Sequence, residues 1–303
     1  MNEVPGIKLG DDLEVSRIVH GQWRLKEWKM DTAGILGLVE TMLDWGINTF
    51  DHADIYGDYT CEKIFGDALS RKTGLRNNLK IITKCGIKLL SGHYPDRRIK
   101  SYDYSYKHIT SSVESSLRKL QTDRIDVLLF HRPAPFFDAG EAARAMDDMH
   151  AAGKVLHFGV SNFNPMQYEM LQKHTSHRLL TNQVEISPYC LEHFDNGNIE
   201  YFIKEGIHPM AWSPLAGGKI FRQDDEQIVR LINEIGNVAE ELGANTLEEV
   251  VYAWLLLHPS GIIPVIGTGK ADRVRHAIRA FELKMDLEQW YRIYNASRGR
   301  DLA

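Results

Sequence analysis

The feature that most restricts the fold is an alternation: eight short apolar runs, each ending in polar or charged residues, separated by amphipathic helical stretches. The runs occupy residues 16–23, 47–54, 80–86, 126–131, 157–162, 181–187, 208–213 and 261–268. Runs that are apolar almost throughout belong to strands covered on both faces, and helices between them imply parallel pairing. Segments 32–45, 108–120, 139–152 and 164–173 carry helical spacing; in the first, Ile35, Leu36, Leu38, Val39, Met42 and Leu43 recur on one side. Thr246-Leu247-Glu248-Glu249 reads as a capping box opening a helix with Leu247, Val250, Val251, Trp254 and Leu255 on one side. Gly46, Gly153 and Gly206 sit where helices should end. Eight such units predict an α/β fold of the (β/α)8 TIM-barrel type. A doubly wound sheet is the competing arrangement, because periodicity alone does not show closure.

No low-complexity tract or Gly/Ser linker interrupts the pattern, so residues 1–303 are expected to form a single barrel domain. Acidic residues number 41 against 36 basic ones, for a net charge of −5, which argues against nucleic acid as the main partner. Arg97, Arg98 and Lys100 make a local basic stretch that reads as a solvated loop. The longest aliphatic-aromatic run, residues 250–257, is far short of the roughly 20 residues of a membrane span. The first residues show no basic segment followed by an apolar one, so no secretory signal is expected. Cys61, Cys85 and Cys190 form no C-x-x-C pair and no metal-ligand spacing. The expectation is a cytoplasmic protein without disulfides or a metal.

Two segments break the regular spacing. Residues 1–15 carry a strand–turn–strand signal through Ile7-Lys8-Leu9, Gly10 to Leu13 and Val15, expected to be a hairpin closing the barrel bottom. Residues 87–107 follow the third run and read as too polar and aromatic for a strand or regular helix. Loops after strands form the active face of such barrels. His93, Tyr94, Arg97, Tyr102, Tyr104 and Tyr106 are therefore candidates for a substrate-pocket wall, with a plain surface loop as the alternative.

The strand ends carry complementary titratable groups: Asp51 and Tyr56 after the second run, Lys84 on the third, His131 on the fourth. A free phenol near pKa 10 is a weak acid at neutral pH. An ammonium beside it favours the phenolate, so Lys84 is expected to lower the Tyr56 pKa, with Asp51 as counter-ion. His131 could hydrogen-bond a carbonyl oxygen, leaving the carbon open to hydride attack. Arg132 is expected to pair with a carboxylate, and Cys85 to point away from Lys84 into the core.

The chain resembles the aldo-keto reductases. The matching pieces are Asp51-His-Ala-Asp-Ile-Tyr56-Gly57, Ile82-Thr-Lys84, Leu128-Leu-Phe-His131-Arg-Pro133, the Gly153 to Asn162 segment, Asn182-Gln183-Val-Glu185 and Ala211-Trp-Ser-Pro-Leu215. They occur in family order and span essentially the whole chain. The closest likeness is to a bacterial oxidoreductase branch, through His-Ala-Asp-Ile-Tyr-Gly and Val-Ile-Gly-Thr-Gly-Lys270. The resemblance implies a barrel that uses NADP(H) without flavin or metal to interconvert small-molecule carbonyls and alcohols. Its tetrad falls on Asp51, Tyr56, Lys84 and His131, and its carboxamide-binding trio on Ser161, Asn162 and Gln183. Trp212 stands where the family usually stacks a Tyr on the nicotinamide, and Ser213, Leu215 and Gly217 match the pyrophosphate loop. Gly267, Thr268, Gly269, Lys270 and Arg273 match the phosphate-binding start of the last-strand helix. No acidic residue is expected where a ribose 2′-hydroxyl acceptor would select NAD, and Asp272 should face away from Arg273. His276 and Ala277 replace the Glu and Asn that many members use against adenine. The alternative function is an NADPH-binding redox sensor or regulatory subunit with little turnover, against which the full tetrad weighs. The natural substrate and the oligomeric state are not readable from these residues.

Overall fold

The computed structural model describes residues 3–222 and 225–302. Eight parallel strands close into a barrel: Val19–Gly21, Thr49–Asp51, Lys80–Cys85, Ile125–Phe130, Val155–Ser161, Leu179–Glu185, Met210–Trp212 and Ile263–Ile266. Each pairs with the next, and the last returns to the first through Val265 opposite Val19. Every predicted run overlaps one of these strands, although those at Ile125, Val155 and Leu179 begin one or two residues before their runs, and closure excludes the doubly wound arrangement. The ladders are often shorter than the runs, because apolar residues such as Ile186 continue past the last paired residue and stay buried.

Alternation along each strand divides the core in two. On the third strand Ile82 joins an inner cluster with Val127, Leu129, Met210 and Ile263, whereas Ile81 and Cys85 face the helices. Lys84 shares the inward parity of Ile82, which carries its chain up the barrel interior. The N-terminal hairpin, Gly6–Lys8 paired with Glu14–Ser16, closes the bottom by adding Leu9, Leu13 and Val15 to the inner cluster.

Helices begin at side chains that accept from free N–H groups, as Asp31 does for Gly34 and Ser105 for His108. At Asn164 and Gln167 the capping box is complete. At Thr246 it is only half made: Thr246 accepts from the Glu249 N–H, but the Glu249 carboxylate turns to the N–H of Asn245. Gly46, Gly153 and Gly206 all take the left-handed conformation expected of helix ends.

The 87–107 segment departs from its expected irregular form. Ile87–Lys88 pairs with Ser101–Tyr102 in a short antiparallel ribbon, and the Ser105 cap starts the next helix at Tyr106. Among the described residues, no helix is long and apolar enough to cross a membrane.

Candidate active site

The C-terminal ends of the second and third strands meet at a buried ammonium. Lys84 Nζ lies 2.7 Å from each Asp51 carboxylate oxygen, 2.8 Å from the His52 carbonyl and 3.0 Å from Tyr56 OH. Its side chain is 0 % exposed, so the charge depends on these partners. From across the barrel, Gln183 Nε2 donates to Asp51 Oδ1 at 2.8 Å. Tyr56 opens a tight turn in which Gly57, Asp58 and Tyr59 all have positive φ. Two non-glycine residues in that region store strain, a cost borne where the chain must turn sharply after the phenol. His131 stands edge-on to Tyr56, with ring centroids 5.9 Å apart, and its Nδ1 has no partner among the described residues.

Burial dominates the electrostatics here. It pushes the Lys84 pKa down, opposed by Asp51, and holds His131 well below the ordinary imidazole value, aided by the positive charge of Lys84 and Arg132. His131 is therefore neutral. The Tyr56 phenol moves up from its ordinary value, first through burial and then through the Asp51 carboxylate. This corrects the expectation that Lys84 lowers it. Asp51 already compensates the ammonium, so desolvation of the phenolate wins.

An open cleft runs from this cluster to the last barrel helix, lined among others by Asp51, Tyr56, Ser213, Leu215, Gly217, Gly267, Thr268 and Arg273. Ser161, Asn162, Gln183 and Trp212 form a connected group beside it. Ser161 Oγ donates to the Gln183 carbonyl, Asn162 Nδ2 to Ser161 Oγ, and Trp212 Nε1 to Asn162 Oδ1 at 3.0 Å. Gln183 Oε1 accepts no hydrogen bond from the described residues and suits an N–H of a primary amide. Gly217 and Gly218 take positive φ and have no atom of the described residues within 4 Å of where a Cβ would stand, which leaves backbone open to a ligand. Helix Ala271–Arg279 starts without a side-chain cap at Lys270, so its first N–H groups are available to an anion. These features fit a dinucleotide.

Several expectations shift. Gly269 packs its backbone against Trp28, and exposed Lys270 does not line the cleft. Asp272 pairs with Arg275 at 3.2 Å, away from Arg273 as expected. An acidic residue does stand at the Arg273 end of the cleft, however: Glu248 lines it with its carboxylate 4.0 Å from Arg273. It arrives from helix Leu247–Leu257, so inspecting residues near Arg273 in sequence missed it. Phe221 and Tyr252 line the same end and carried no sequence signal.

Arg132 has no carboxylate within ion-pairing distance among the described residues; its guanidinium sits 5.5 Å above the Trp212 ring. The 87–107 segment contributes no side chain to this cleft. Arg97, rather than being solvated, stacks 3.7 Å from the centre of the Tyr94 ring and donates to Tyr59 OH. Tyr104 is buried with its hydroxyl bonded to both backbone groups of Arg132, and Tyr106 bonds Asp148 on a neighbouring helix.

Comparison with known proteins gives a consistent picture. Residues 17–298 match the aldo/keto reductase family. The chain is 48 % identical to the oxidoreductase YcsN of Bacillus subtilis strain 168, covering 98 % of this chain and 99 % of that one. It is 43 % identical to a 6-dehydroglucose reductase of Agrobacterium fabrum, over 98 % and 99 % of the two chains. In fold it resembles the crystal structure of the thermostable aldo-keto reductase Tm1743, with a TM-score of 0.78 at 22 % identity over 96 % of this chain and 99 % of that one.

Proposed function

The chain belongs to the aldo/keto reductase family and is an NAD(P)H-dependent oxidoreductase; from that premise we propose that it uses NADPH to reduce an aldehyde or ketone, with Tyr56 as general acid. The contact that carries this reading is the 3.0 Å approach of Lys84 Nζ to Tyr56 OH. The bound cofactor supplies the hydride. Tyr56 OH donates its proton to the carbonyl oxygen as negative charge develops there, and Lys84 stabilises the phenolate left behind. A raised resting pKa keeps the phenol loaded for that donation. Neutral His131 directs a ring N–H at the same oxygen, and Asp51 keeps Lys84 charged and in place.

Ser161, Asn162 and Gln183 would hold the carboxamide, Trp212 would stack on the nicotinamide, and Ser213, Leu215 and Gly217 would wrap the pyrophosphate. Gly267, Thr268 and Arg273, which line the cleft, would form the adenosine-phosphate end, without Gly269 and Lys270. Of these, Thr268 and Arg273 support NADPH over NADH, because both line the cleft beside the uncapped helix start. Residues 1–303 act as one barrel domain, and three free thiols suit a reducing cytoplasm. The test is steady-state NADPH consumption with a panel of aldehydes, ketones and an oxidised sugar, the last because the Agrobacterium relative is named for one. Turnover with at least one member is expected. Tight NADPH binding with negligible turnover across the panel would replace this reading with a sensor.

A further inference from the structure

Glu248 is a carboxylate without a donor. Its side chain is 12 % exposed, and no N–H or O–H of the described residues hydrogen-bonds to it. The nearest basic side chains approach with Arg273 Nη2 at 4.0 Å and His276 Nδ1 at 3.8 Å, too far for hydrogen bonds. The His276 nitrogen itself has no hydrogen-bond partner among the described residues. A carboxylate that faces the cleft with no protein donor is free to accept a hydrogen bond from a ligand there.

The surroundings restrict what that donor can be. Arg273 holds its planar guanidinium 5.4 Å from the centre of the Phe221 ring, so flat faces border the carboxylate. Anions belong at the uncapped start of Ala271–Arg279, beside Thr268. Glu248 meets that helix at His276, one turn beyond Arg273, where it would repel a phosphate and accept from a neutral donor. At the adenosine end of a dinucleotide, away from the nicotinamide and its amide, the group that is flat, neutral and bears an N–H donor at its edge is the adenine base.

We propose that Glu248 reads the adenine, accepting a hydrogen bond from its exocyclic amine while the base lies against Phe221 and Arg273. This rests on the cofactor lying in the cleft with its adenosine end at Arg273. It holds for NADPH and NADH alike, since both carry adenine.

The experiment measures KM and kcat for NADPH, NADH and their hypoxanthine counterparts, in which a carbonyl oxygen replaces the amine. The wild-type protein should discriminate against hypoxanthine by about ten-fold or more in kcat/KM, the range of a hydrogen bond to a charged group. Glu248→Gln carries an amide that can donate to the new carbonyl, and should erase or reverse the discrimination within both cofactor pairs. Absence of discrimination in the wild type, or equal discrimination in the variant, would overturn the proposal. So would a change in the NADPH-to-NADH ratio with base discrimination intact, which puts the carboxylate at the ribose instead. If NADH is the better cofactor, the NADPH reading fails while the hypoxanthine comparison is still read within the NADH pair. Should Glu248→Gln melt early, Glu248→Asp, with its shorter reach, must lose the discrimination; its retention overturns the proposal.

Discussion

The two ends of the cleft are built on different principles. At the reacting end, Lys84 touches four oxygens within 3.0 Å, and Asp51 is gripped from two sides of the barrel. At the other end, proposed to take the adenosine, Arg273 is 52 % exposed and lies 4.0 Å from Glu248, with contacts loose enough to rearrange. The first end is fixed before any ligand arrives, as charge stabilisation in a transition state requires. The second is left to be completed by what binds. Reacting-end substitutions should therefore affect turnover, and adenosine-end substitutions cofactor affinity.

The hardest test of that division is Tyr56→Phe. It should lower kcat by about 10²–10⁴-fold, the usual worth of a general acid, while NADPH affinity measured by fluorescence titration stays nearly intact. Retention of more than half the wild-type turnover breaks the assignment. Lys84→Met should also cripple turnover, and it leaves Asp51 as a buried carboxylate without its ammonium, so the melting temperature should fall as well.

A second test uses pH. With Tyr56 as the proposed general acid, reduction needs the protonated phenol, and the raised Tyr56 pKa keeps it protonated through the neutral and mildly alkaline range. The kcat for reduction should stay flat up to about pH 10, the ordinary phenol value, while alcohol oxidation, which needs the phenolate, rises with pH. A reduction rate that falls well below that value would restore Lys84 as the dominant influence.

Arg273→Ala examines the other end. Loss of one charge-assisted contact should cost about 1.5–3 kcal/mol in NADPH binding, seen as a raised NADPH KM with the NADH value almost unchanged. Equal effects on both cofactors, or a wild-type protein that favours NADH, would contradict the phosphate assignment. The smallest effect belongs to Trp212→Tyr, which keeps a flat ring and should retain most activity. Quenching of tryptophan fluorescence by NADPH should weaken in the variant; unchanged quenching would mean another residue does the stacking.

The same division explains what could be read from the chain. The apolar runs located every barrel strand, and alternation along the third sent Lys84 inward and Cys85 outward. Strand ends in a closed barrel converge by geometry, so Asp51, Tyr56, Lys84 and His131 could be grouped before any distance was known. Glu248 could not, because it reaches Arg273 from a helix whose start also reads as an ordinary capping sequence. The direction of the Tyr56 pKa was illegible for another reason: desolvation depends on how much protein surrounds the hydroxyl, which spacing does not encode. Arg132 was misread because a planar cation can satisfy itself on the Trp212 ring as well as on a carboxylate.

The hydrogen bond from Gln183 to Asp51 spans the barrel interior between residues 132 positions apart. Active sites usually sacrifice robustness, so that removing a functional group often makes a protein harder to melt. Here the cross-brace joins the second and sixth strands through an atom that also anchors Lys84, and the familiar exchange is closed at that point. A laboratory selecting for heat resistance should find its gains on the outer helices and loops. At Asp51 the pressures of robustness and catalysis fall on the same carboxylate, and no substitution there should improve either one.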